Sequence, residues 1–169
     1  MPILSRNARH LRLVAALGAV LLMGACASKN QAGAGSGVGG AGGAAVPGSQ
    51  QDFVVNVGDR VFFAEDQSDL SGQAQATLSK QAQWLRAYPR YTVTIEGHAD
   101  ERGTREYNIA LGARRAQAAR DYLTSQGIAA GRMRTISYGK ERPVAVCNDA
   151  SCWSQNRRAV TVLNGAAGS

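Results

Sequence analysis

The chain has 169 residues, of which 44% are hydrophobic, with 20 glycines and a formal net charge of +7. This is enough apolar sequence for one core of ordinary size, and the glycine content indicates an additional unfolded segment. Arg6, Arg9 and Arg12 precede every acidic residue, and without them the net charge is +4. The total charge is therefore weak support for binding to nucleic acid or to a membrane surface.

The first 25 residues have the pattern of an export signal. Basic residues come first, an apolar run from Leu11 to Met23 follows, and small residues lead to Cys26. The apolar run is shorter than the roughly 20 residues that a helix needs to cross a bilayer, so we expect no permanent transmembrane anchor. We interpret residues 1–25 as a cleaved signal peptide; an amphipathic or core helix is the alternative.

The segment LMGAC, which ends at Cys26, resembles the lipobox of bacterial lipoproteins, with Met23 in place of the usual leucine. The resemblance implies that the Cys26 sulfur is diacylglycerylated, that the signal is cut before Cys26, and that the new amine is acylated. Each buried CH₂ of such chains contributes about 0.8 kcal/mol, so several chains anchor a domain stably. In that family the residues just after the cysteine sort the protein between membranes. Ala27 and Ser28, with no aspartate, resemble the outer-membrane pattern. Apart from this covalent lipid, we expect no cofactor.

A segment rich in glycine and alanine runs from Lys29 to Gln50 and contains almost no large apolar side chain. It cannot bury a core, so we expect residues 26–50 to form a flexible tether that begins at lipidated Cys26. About 25 such residues reach at most roughly 80 Å. The folded domain is predicted at residues 51–166. Plain disorder without a tether role is the alternative if Cys26 is not acylated.

Residue patterns predict the elements of the domain in chain order. A short strand at 61–63 precedes a helix that ends before Pro89, and a strand in YTVTIEGHA precedes a long helix that ends at Gly127. The segments RMRTISYG and RRAVTVLN supply two further strands. The order βαβαββ predicts an α+β two-layer sandwich, in which two main helices pack on a mixed four-stranded sheet.

The stretch GHADERGTREYNIALGARRAQ, residues 97–117, concentrates charge around a connection from strand to helix. Asn108, Leu111 and Arg115 recur at helical spacing and should share one face. A helix N-terminus and an arginine fork both favour a carboxylate, and an aspartate such as Asp100 favours an ammonium group. Together they suit a zwitterionic amino-acid group. A solvated helix with ion pairs between residues i and i+4 would show a similar pattern.

Catalytic and metal-binding interpretations have little support. Once the signal is removed, His98 is the only histidine, and no G-x-S-x-G motif occurs. Glu96 and Asp100 could act as a carboxylate pair, but the nearby arginines would keep both ionised instead of raising one pKa. His98, Cys147 and Cys152 are too few and too scattered for a zinc site. We therefore expect neither enzyme activity nor a metal.

Nucleic-acid binding is not favoured either. Acidic residues interrupt the arginines, at Asp100, Glu101, Glu106, Asp121 and Glu141, so no continuous basic face forms. A chain that is exported and anchored by lipid also rarely meets nucleic acid.

The stretch at 97–117, together with SYGKERP and SQNRRAVTV, resembles the OmpA-like peptidoglycan-binding domain. The resemblance implies a noncovalent site for the meso-diaminopimelate of the peptidoglycan stem peptide, whose free end carries one ammonium and one carboxylate. The positions that match the family's binding residues are Asp66, Asp100, Arg102, Thr104, Asn108, Leu111 and Arg115.

Within this set, the resemblance makes Asp100 and Arg115 the residues that read the two charges of the ligand. Arg114 is expected to be an exposed or structural ion-pair partner. Two positions depart from the family pattern, because Glu65 replaces a commonly aromatic residue and Gly112 a commonly small polar one.

The same resemblance implies a cellular role. The chain would link the outer membrane to the cell wall, with its domain facing the periplasm, and would support envelope integrity and cell division. Its implied partners are the Tol proteins, especially the periplasmic β-propeller TolB. The alternative is a lipid-anchored periplasmic adaptor that binds protein and not the wall.

Cys147 and Cys152 lie in the segment CNDASC. Once Cys26 is modified they are the only cysteines left to pair, and export places them in an oxidising compartment. We expect a small disulfide that braces the loop before the last strand and does not itself contact the wall. Two free thiols are the alternative.

Overall fold

The structure, a computed structural model, describes residues 45–165. The predicted signal peptide, Cys26, the tether up to residue 44 and residue 166 lie outside this range. The strands are β1 (Arg60–Phe62), β2 (Thr92–His98), β3 (Met133–Gly139) and β4 (Arg158–Asn164). The helices are α1 (Gln50–Asp52), α2 (Gly72–Ala87), α3 (Arg105–Ser125) and α4 (Ala150–Asn156). Within the described range, no helix combines the length and the apolar character that a membrane span requires.

The four strands form one mixed sheet in the order β1-β4-β2-β3. β4 runs antiparallel to both β1 and β2, whereas β2 runs parallel to β3. A parallel pair needs a long crossover connection, and α3 supplies it between β2 and β3. The predicted βαβαββ order and the mixed four-stranded sheet are therefore confirmed, with α1 and α4 as additional short helices.

Helices α2 and α3 bury their apolar faces in the core that they share with the sheet. Leu78 and Leu85 of α2, Leu123 of α3 and Ile95 of β2 are each at most 1% exposed. Burying a side chain of this size contributes about 1.5–3 kcal/mol. The core therefore holds both helices against the sheet as the predicted two-layer α+β sandwich.

Helix α3 crosses β2 at very close range, because glycines face each other at the crossing. A Cβ on Gly97 would overlap the carbonyl oxygen of Gly112, and a Cβ on Gly112 would overlap the hydroxyl of Ser137. The absence of a side chain at Gly112 is thus a requirement of the packing in this chain. It brings the first half of α3 onto the carboxyl end of β2.

The chain packs against the core from Gly48 onward, within the segment that the sequence assigned to the tether. Ser49 caps α1 by accepting a hydrogen bond from the Asp52 amide at 3.1 Å. The Asp52 carboxylate accepts bonds from Trp84 Nε1 at 2.8 Å and from the Gly48 amide at 2.9 Å. The Tyr91 hydroxyl donates to the Gly48 carbonyl at 2.8 Å. Helix α1 and the π-helical turn that continues it at Phe53–Val57 are tied to α2 by these contacts.

The segment before β4 is also tied down. Asp149 caps α4 by accepting a bond from the Ser151 amide at 2.8 Å. Cys147 and Cys152 form a disulfide with their Cα atoms 5.6 Å apart. The Asn156 side chain accepts a bond from the Val144 amide at 2.8 Å and donates to the Ala145 carbonyl at 2.8 Å. These contacts hold α4 in place within the connection between β3 and β4.

Candidate functional site

A cleft of about 290 Å³ opens where the carboxyl end of β2 meets the start of α3. Its second wall is the loop that follows β1. The residues that line it are Glu65, Asp66, Asp100, Arg102, Gly103, Tyr107, Asn108 and Leu111. Five of the seven binding positions predicted from the sequence are thus brought together: Asp66, Asp100, Arg102, Asn108 and Leu111.

The sixth predicted position, Thr104, shapes the start of α3. Its hydroxyl accepts a hydrogen bond from the Tyr107 amide at 3.2 Å, as an N-cap residue does. Gly103 before it has a φ of +85°, which favours glycine. The Asn108 side chain donates to the carbonyls of Arg102 at 2.7 Å and of Thr104 at 3.1 Å. Asn108 therefore holds the loop from below while the cap orients the free amides of α3.

Asp100 is the most strongly bonded carboxylate of the cleft. It accepts bonds from the Arg102 amide at 3.2 Å and from Arg102 NH2 at 2.7 Å, and Arg157 NH1 donates to it at 3.3 Å. Burial alone would raise the pKa of Asp100, but the bonds and charge of Arg102, together with Arg157, outweigh it and hold the pKa below its usual value. The direction agrees with the expectation that arginines keep Asp100 ionised, but the arginines responsible are Arg102, in the loop before α3, and Arg157, before β4, and not those of the helix.

Arg102 bridges the two walls of the cleft. Besides Asp100 it bonds Glu65 across the opening, with NH1 2.7 Å from Oε1. Its guanidinium carbon lies 4.2 Å from the ring centroid of Trp153, a residue of α4. The bond to Asp100 raises the pKa of Arg102 further above its already high value. Arg102 is therefore the guanidinium that lines the cleft.

Asp66 lies on the opposite wall, in a left-handed backbone conformation with φ of +54°. Aspartate adopts this conformation more readily than most residues with a side chain. Its carboxylate accepts a hydrogen bond from the Tyr107 hydroxyl. This bond joins α3 to the loop after β1, and both of its residues line the cleft.

Arg115, the seventh predicted position, lies on α3 and bonds both segments that border the cleft. It is fully buried and is not among the lining residues. Its guanidinium donates to the carbonyls of Gln67 at 2.8 Å, His98 at 2.8 Å and Ala64 at 3.1 Å. Burial, reinforced by the charge of Arg157, lowers the pKa of Arg115 to about 10, so it stays charged. Arg115 ties the loop after β1 to the end of β2, and the cleft lies between these two segments.

Arg114 contrasts with its neighbour. It is exposed on α3, and its guanidinium carbon lies 6.0 Å from the ring centroid of Tyr107. The exposure agrees with the expectation for Arg114, whereas within residues 45–165 it takes part in no ion pair.

His98 is buried and neutral. It is 2% exposed, and within residues 45–165 neither ring nitrogen has a hydrogen-bond partner. Burial, followed by the charges of Arg158 and Arg142, lowers the pKa of His98 to about 4. The ring packs against Tyr138 with centroids 5.7 Å apart. The sulfurs of Cys147 and Cys152 are bonded to each other, so they are not free thiolates that could join His98 in binding zinc.

We refer to the buried residues at or next to the cleft, Asn108, Leu111, Arg115 and His98, as the cleft floor, and to the less buried lining residues Glu65, Asp66, Arg102 and Tyr107 as the cleft rim. Sequence reasoning did not assign Gly103, Tyr107, Trp153 or Arg157 to the site. Arg157 and Trp153 lie within or next to the segment SQNRRAVTV, which carried part of the family resemblance, but nothing local indicates that they reach Asp100 and Arg102. Tyr107 precedes Asn108 on α3, and an exposed aromatic residue beside a predicted site was the available signal.

Residues 62–158 match the OmpA family. The chain is 64% identical over 159 residues to a peptidoglycan-associated lipoprotein of Rhizobium meliloti (strain 1021), which covers 94% of this chain and 90% of the relative. It is 67% identical over 147 residues to the protein of the same description in Brucella melitensis biotype 1, covering 86% of this chain and 88% of the relative.

Solved structures agree with these relationships. The crystal structure of the peptidoglycan-associated lipoprotein from Burkholderia pseudomallei is 40% identical, with a TM-score of 0.64, and covers 68% of this chain and 98% of that chain. The C-terminal domain of Helicobacter pylori MotB is 19% identical with a TM-score of 0.60, covering 64% of this chain and 86% of that one, which is a likeness of fold alone. The chain therefore belongs to the OmpA family and, within it, to the peptidoglycan-associated lipoproteins.

Proposed function

We propose that this chain is an outer-membrane lipoprotein that binds peptidoglycan noncovalently through the cleft and so links the outer membrane to the cell wall. The shared description of its relatives supports an association with peptidoglycan. The observation that carries the proposal is the convergence of carboxylates and a guanidinium at the N-terminus of α3. Such a site binds and orients a ligand, and the proposed activity involves no bond-making step.

The ligand that fits this chemistry is the free amino-acid end of meso-diaminopimelate in the stem peptide. Asp100 and Asp66 supply negative charge for its ammonium group. Arg102 and the free amides at the start of α3 supply donors for its carboxylate. Leu111, 4% exposed, offers an apolar surface to the methylene chain between the two charged ends. A cleft of about 290 Å³ suits a group of side-chain size.

Binding requires an exchange of ion pairs, because Arg102 already bonds Asp100. A zwitterion brings one positive and one negative group, so the ammonium can take Asp100 while the carboxylate takes Arg102. Each protein charge then keeps a partner, and no charge is left buried and unpaired. A ligand with only one of these charges would break the pair between Arg102 and Asp100 but replace only one side of it, leaving Arg102 with Glu65 alone or Asp100 with Arg157 alone. This exchange favours a zwitterion over a simple amine or a simple acid.

We assign Arg115 a supporting role in this site. Its three carbonyl contacts hold the two walls, and its charge adds positive potential from the cleft floor. As the family resemblance implies, we also propose that Arg115 reads the ligand carboxylate, together with Arg102, which lines the cleft.

The proposed anchor is Cys26, lipidated after removal of residues 1–25, with residues 26–50 as the tether. The domain then faces the periplasm at the end of a flexible chain. We also propose the Tol proteins, and TolB in particular, as partners, with a role in envelope integrity and cell division. The alternative, a lipid-anchored adaptor that binds protein and not the wall, predicts the same anchor but no affinity for the wall.

Sedimentation with purified sacculi tests the proposal. The full chain, extracted with detergent, should pellet with sacculi that contain meso-diaminopimelate, and free meso-diaminopimelate should compete. Asp100→Asn removes the charge that meets the ammonium and should weaken binding at least about 30-fold, corresponding to about 2 kcal/mol.

Asp121→Asn is the matched control, since Asp121 is an exposed carboxylate on α3 that bonds Gln117 and lies outside the cleft. It should bind as the unmodified chain does. Failure of the unmodified chain to pellet would favour the adaptor alternative, and equal loss in both variants would place the site elsewhere.

A further inference from the structure

Trp153 contacts the cleft rim from outside the cleft. The guanidinium of Arg102 lies over its indole at 4.2 Å, and the indole Nε1 donates to Glu101 Oε1 at 3.1 Å. One aromatic side chain of α4 therefore contacts two consecutive residues of the loop that carries Asp100. The loop is held from another direction by Lys140, whose ammonium donates to the carbonyls of Glu101 at 3.1 Å and Gly103 at 2.7 Å.

The contact with Trp153 differs in kind from the other contacts of Arg102. Asp100 and Glu65 meet the N–H edge of the guanidinium, which is the edge that a ligand carboxylate would need. Trp153 meets the guanidinium through its ring, whose centroid lies 4.2 Å from the guanidinium carbon, and this contact takes no hydrogen bond from the N–H groups of Arg102. When a ligand displaces the carboxylates, the aromatic contact is the one that can persist.

This matters because arginine is a long side chain with many rotamers. Fixing such a side chain at the moment of binding costs conformational entropy, and this cost is avoided when the side chain is already oriented. Stacking on an aromatic face is a suitable way to orient a guanidinium, since it restricts the plane without occupying the donors.

Trp153 can act in this way only if α4 is itself fixed. A helix of seven residues is too short to be stable alone in water. The Cys147–Cys152 disulfide joins the loop before α4 to its first turn, the Asp149 cap closes its N-terminus, and Asn156 bonds the loop at Val144 and Ala145. The disulfide therefore lies directly before the residue that meets Arg102.

We propose that Trp153 is a positioning residue for ligand binding, which pre-orients Arg102 toward the ligand carboxylate, and that the Cys147–Cys152 disulfide supports it by fixing α4. The inference rests on the proposed function, since it assigns Arg102 the contact with the wall peptide. It adds to that function a residue and a disulfide that do not line the cleft.

The test compares binding of the full chain to sacculi for variants of α4. Trp153→Leu should weaken binding roughly tenfold, while Trp153→Phe keeps an aromatic face and should stay within about threefold. Gln155→Leu, an exposed change on the same helix, should bind normally. Cys147→Ser combined with Cys152→Ser should weaken binding measurably, although by no more than Trp153→Leu does, and unchanged binding would overturn the role of the disulfide. Adding Trp153→Leu to the double serine variant should then produce a total loss close to that of Trp153→Leu alone.

A double-mutant cycle separates positioning from a general structural effect. In an Arg102→Met chain, Trp153→Leu should cause no further loss of binding, because the side chain that it orients is gone. An additional tenfold loss in that chain would overturn the inference, as would normal binding by folded Trp153→Leu.

Fluorescence provides a test without ligand. The difference spectrum between the unmodified chain and Trp153→Phe isolates the emission of Trp153 from that of buried Trp84, and Arg102→Met should change this emission. An unchanged spectrum would show that the contact is absent in solution and overturn the inference. If the unmodified chain fails to bind sacculi, the proposed function fails; if it binds and Trp153→Leu binds equally well, the inference alone fails.

Discussion

The cleft floor and the cleft rim each contain an arginine, and they hold it in different ways. Arg115 of the floor is fully buried and donates to three backbone carbonyls. Arg102 of the rim has a side chain 34% exposed and bonds two carboxylates. A backbone carbonyl has a position set by the fold, whereas a carboxylate on a side chain can change partners. The comparison indicates that the floor maintains the shape of the site and the rim carries out the exchange with ligand.

The largest effect on the free energy of unfolding is expected at Arg115, and it tests whether the cleft floor maintains the shape of the site. Arg115→Met removes the donors and leaves three carbonyls in a buried place, so the free energy of unfolding should fall by about 3 kcal/mol or more. Arg114→Met makes the same chemical change at the next, exposed position and should have little effect. Urea denaturation of both variants measures the difference. Similar stability of the two variants would show that the floor does not hold the fold together.

A smaller effect is expected from His98, the floor residue whose carbonyl accepts a bond from Arg115. The folded pKa of His98 is about 4, below its ordinary value of 6.5, because burial and then Arg158 and Arg142 disfavour the charged ring. Between these values the unfolded chain binds a proton that the folded chain does not. The contribution of His98 to the free energy of unfolding is therefore fully present above about pH 6.5 and is lost as the pH drops toward 4. Over this range the loss should be about 2–3 kcal/mol.

His98→Phe provides the control, since it keeps a ring beside Tyr138 but cannot take up a proton. Glu96 Oε2 lies 3.6 Å from His98 Nε2, and this carboxylate is present in both proteins. The difference between the two pH profiles therefore isolates the histidine. Parallel profiles from pH 7.5 to pH 4.5 would contradict the lowered pKa of His98 in the folded chain.

The smallest effect on folding is expected in the rim. Tyr107→Phe removes only the hydroxyl that donates a hydrogen bond to Asp66. Both side chains are exposed. Thermal unfolding should shift by less than about 4 °C, because both groups can bond water in the unfolded chain. Wall binding should still change, since Asp66 loses the contact that orients it. A drop in Tm as large as that of Arg115→Met would contradict the claim that the cleft floor stabilises the fold more than the cleft rim does.

Local pattern was sufficient for the main elements. The apolar spacing of α2 and α3 and the alternation in β2 depend on neighbours in sequence, and both helices and all four strands were predicted in order. Helices α1 and α4 were not predicted. With three and seven residues they are too short to show a period, and tertiary contacts stabilise them, such as the bond between Asp52 and Trp84.

The same distinction applies to the site. Asp100, Arg102, Thr104, Asn108 and Leu111 lie within twelve residues, so a strand followed by a capped helix was enough to group them. The contacts that decide their roles span longer separations: Trp153 meets Arg102, and Arg157 reaches Asp100. Only the folded chain brings such positions together, because strand order and helix packing have no local signature in sequence.

Arg114 and Arg115 show most clearly what each level decides. Sequence by itself determined that an arginine pair follows Leu111 on a helix and that Arg115 shares a face with Asn108. Tertiary structure decided that this face is covered by the loop after β1, so that Arg115 donates to the carbonyls of Ala64 and Gln67 and Arg102 lines the cleft. The physical reason is that helical periodicity determines which side chains point the same way, whereas burial depends on which distant segment packs over them.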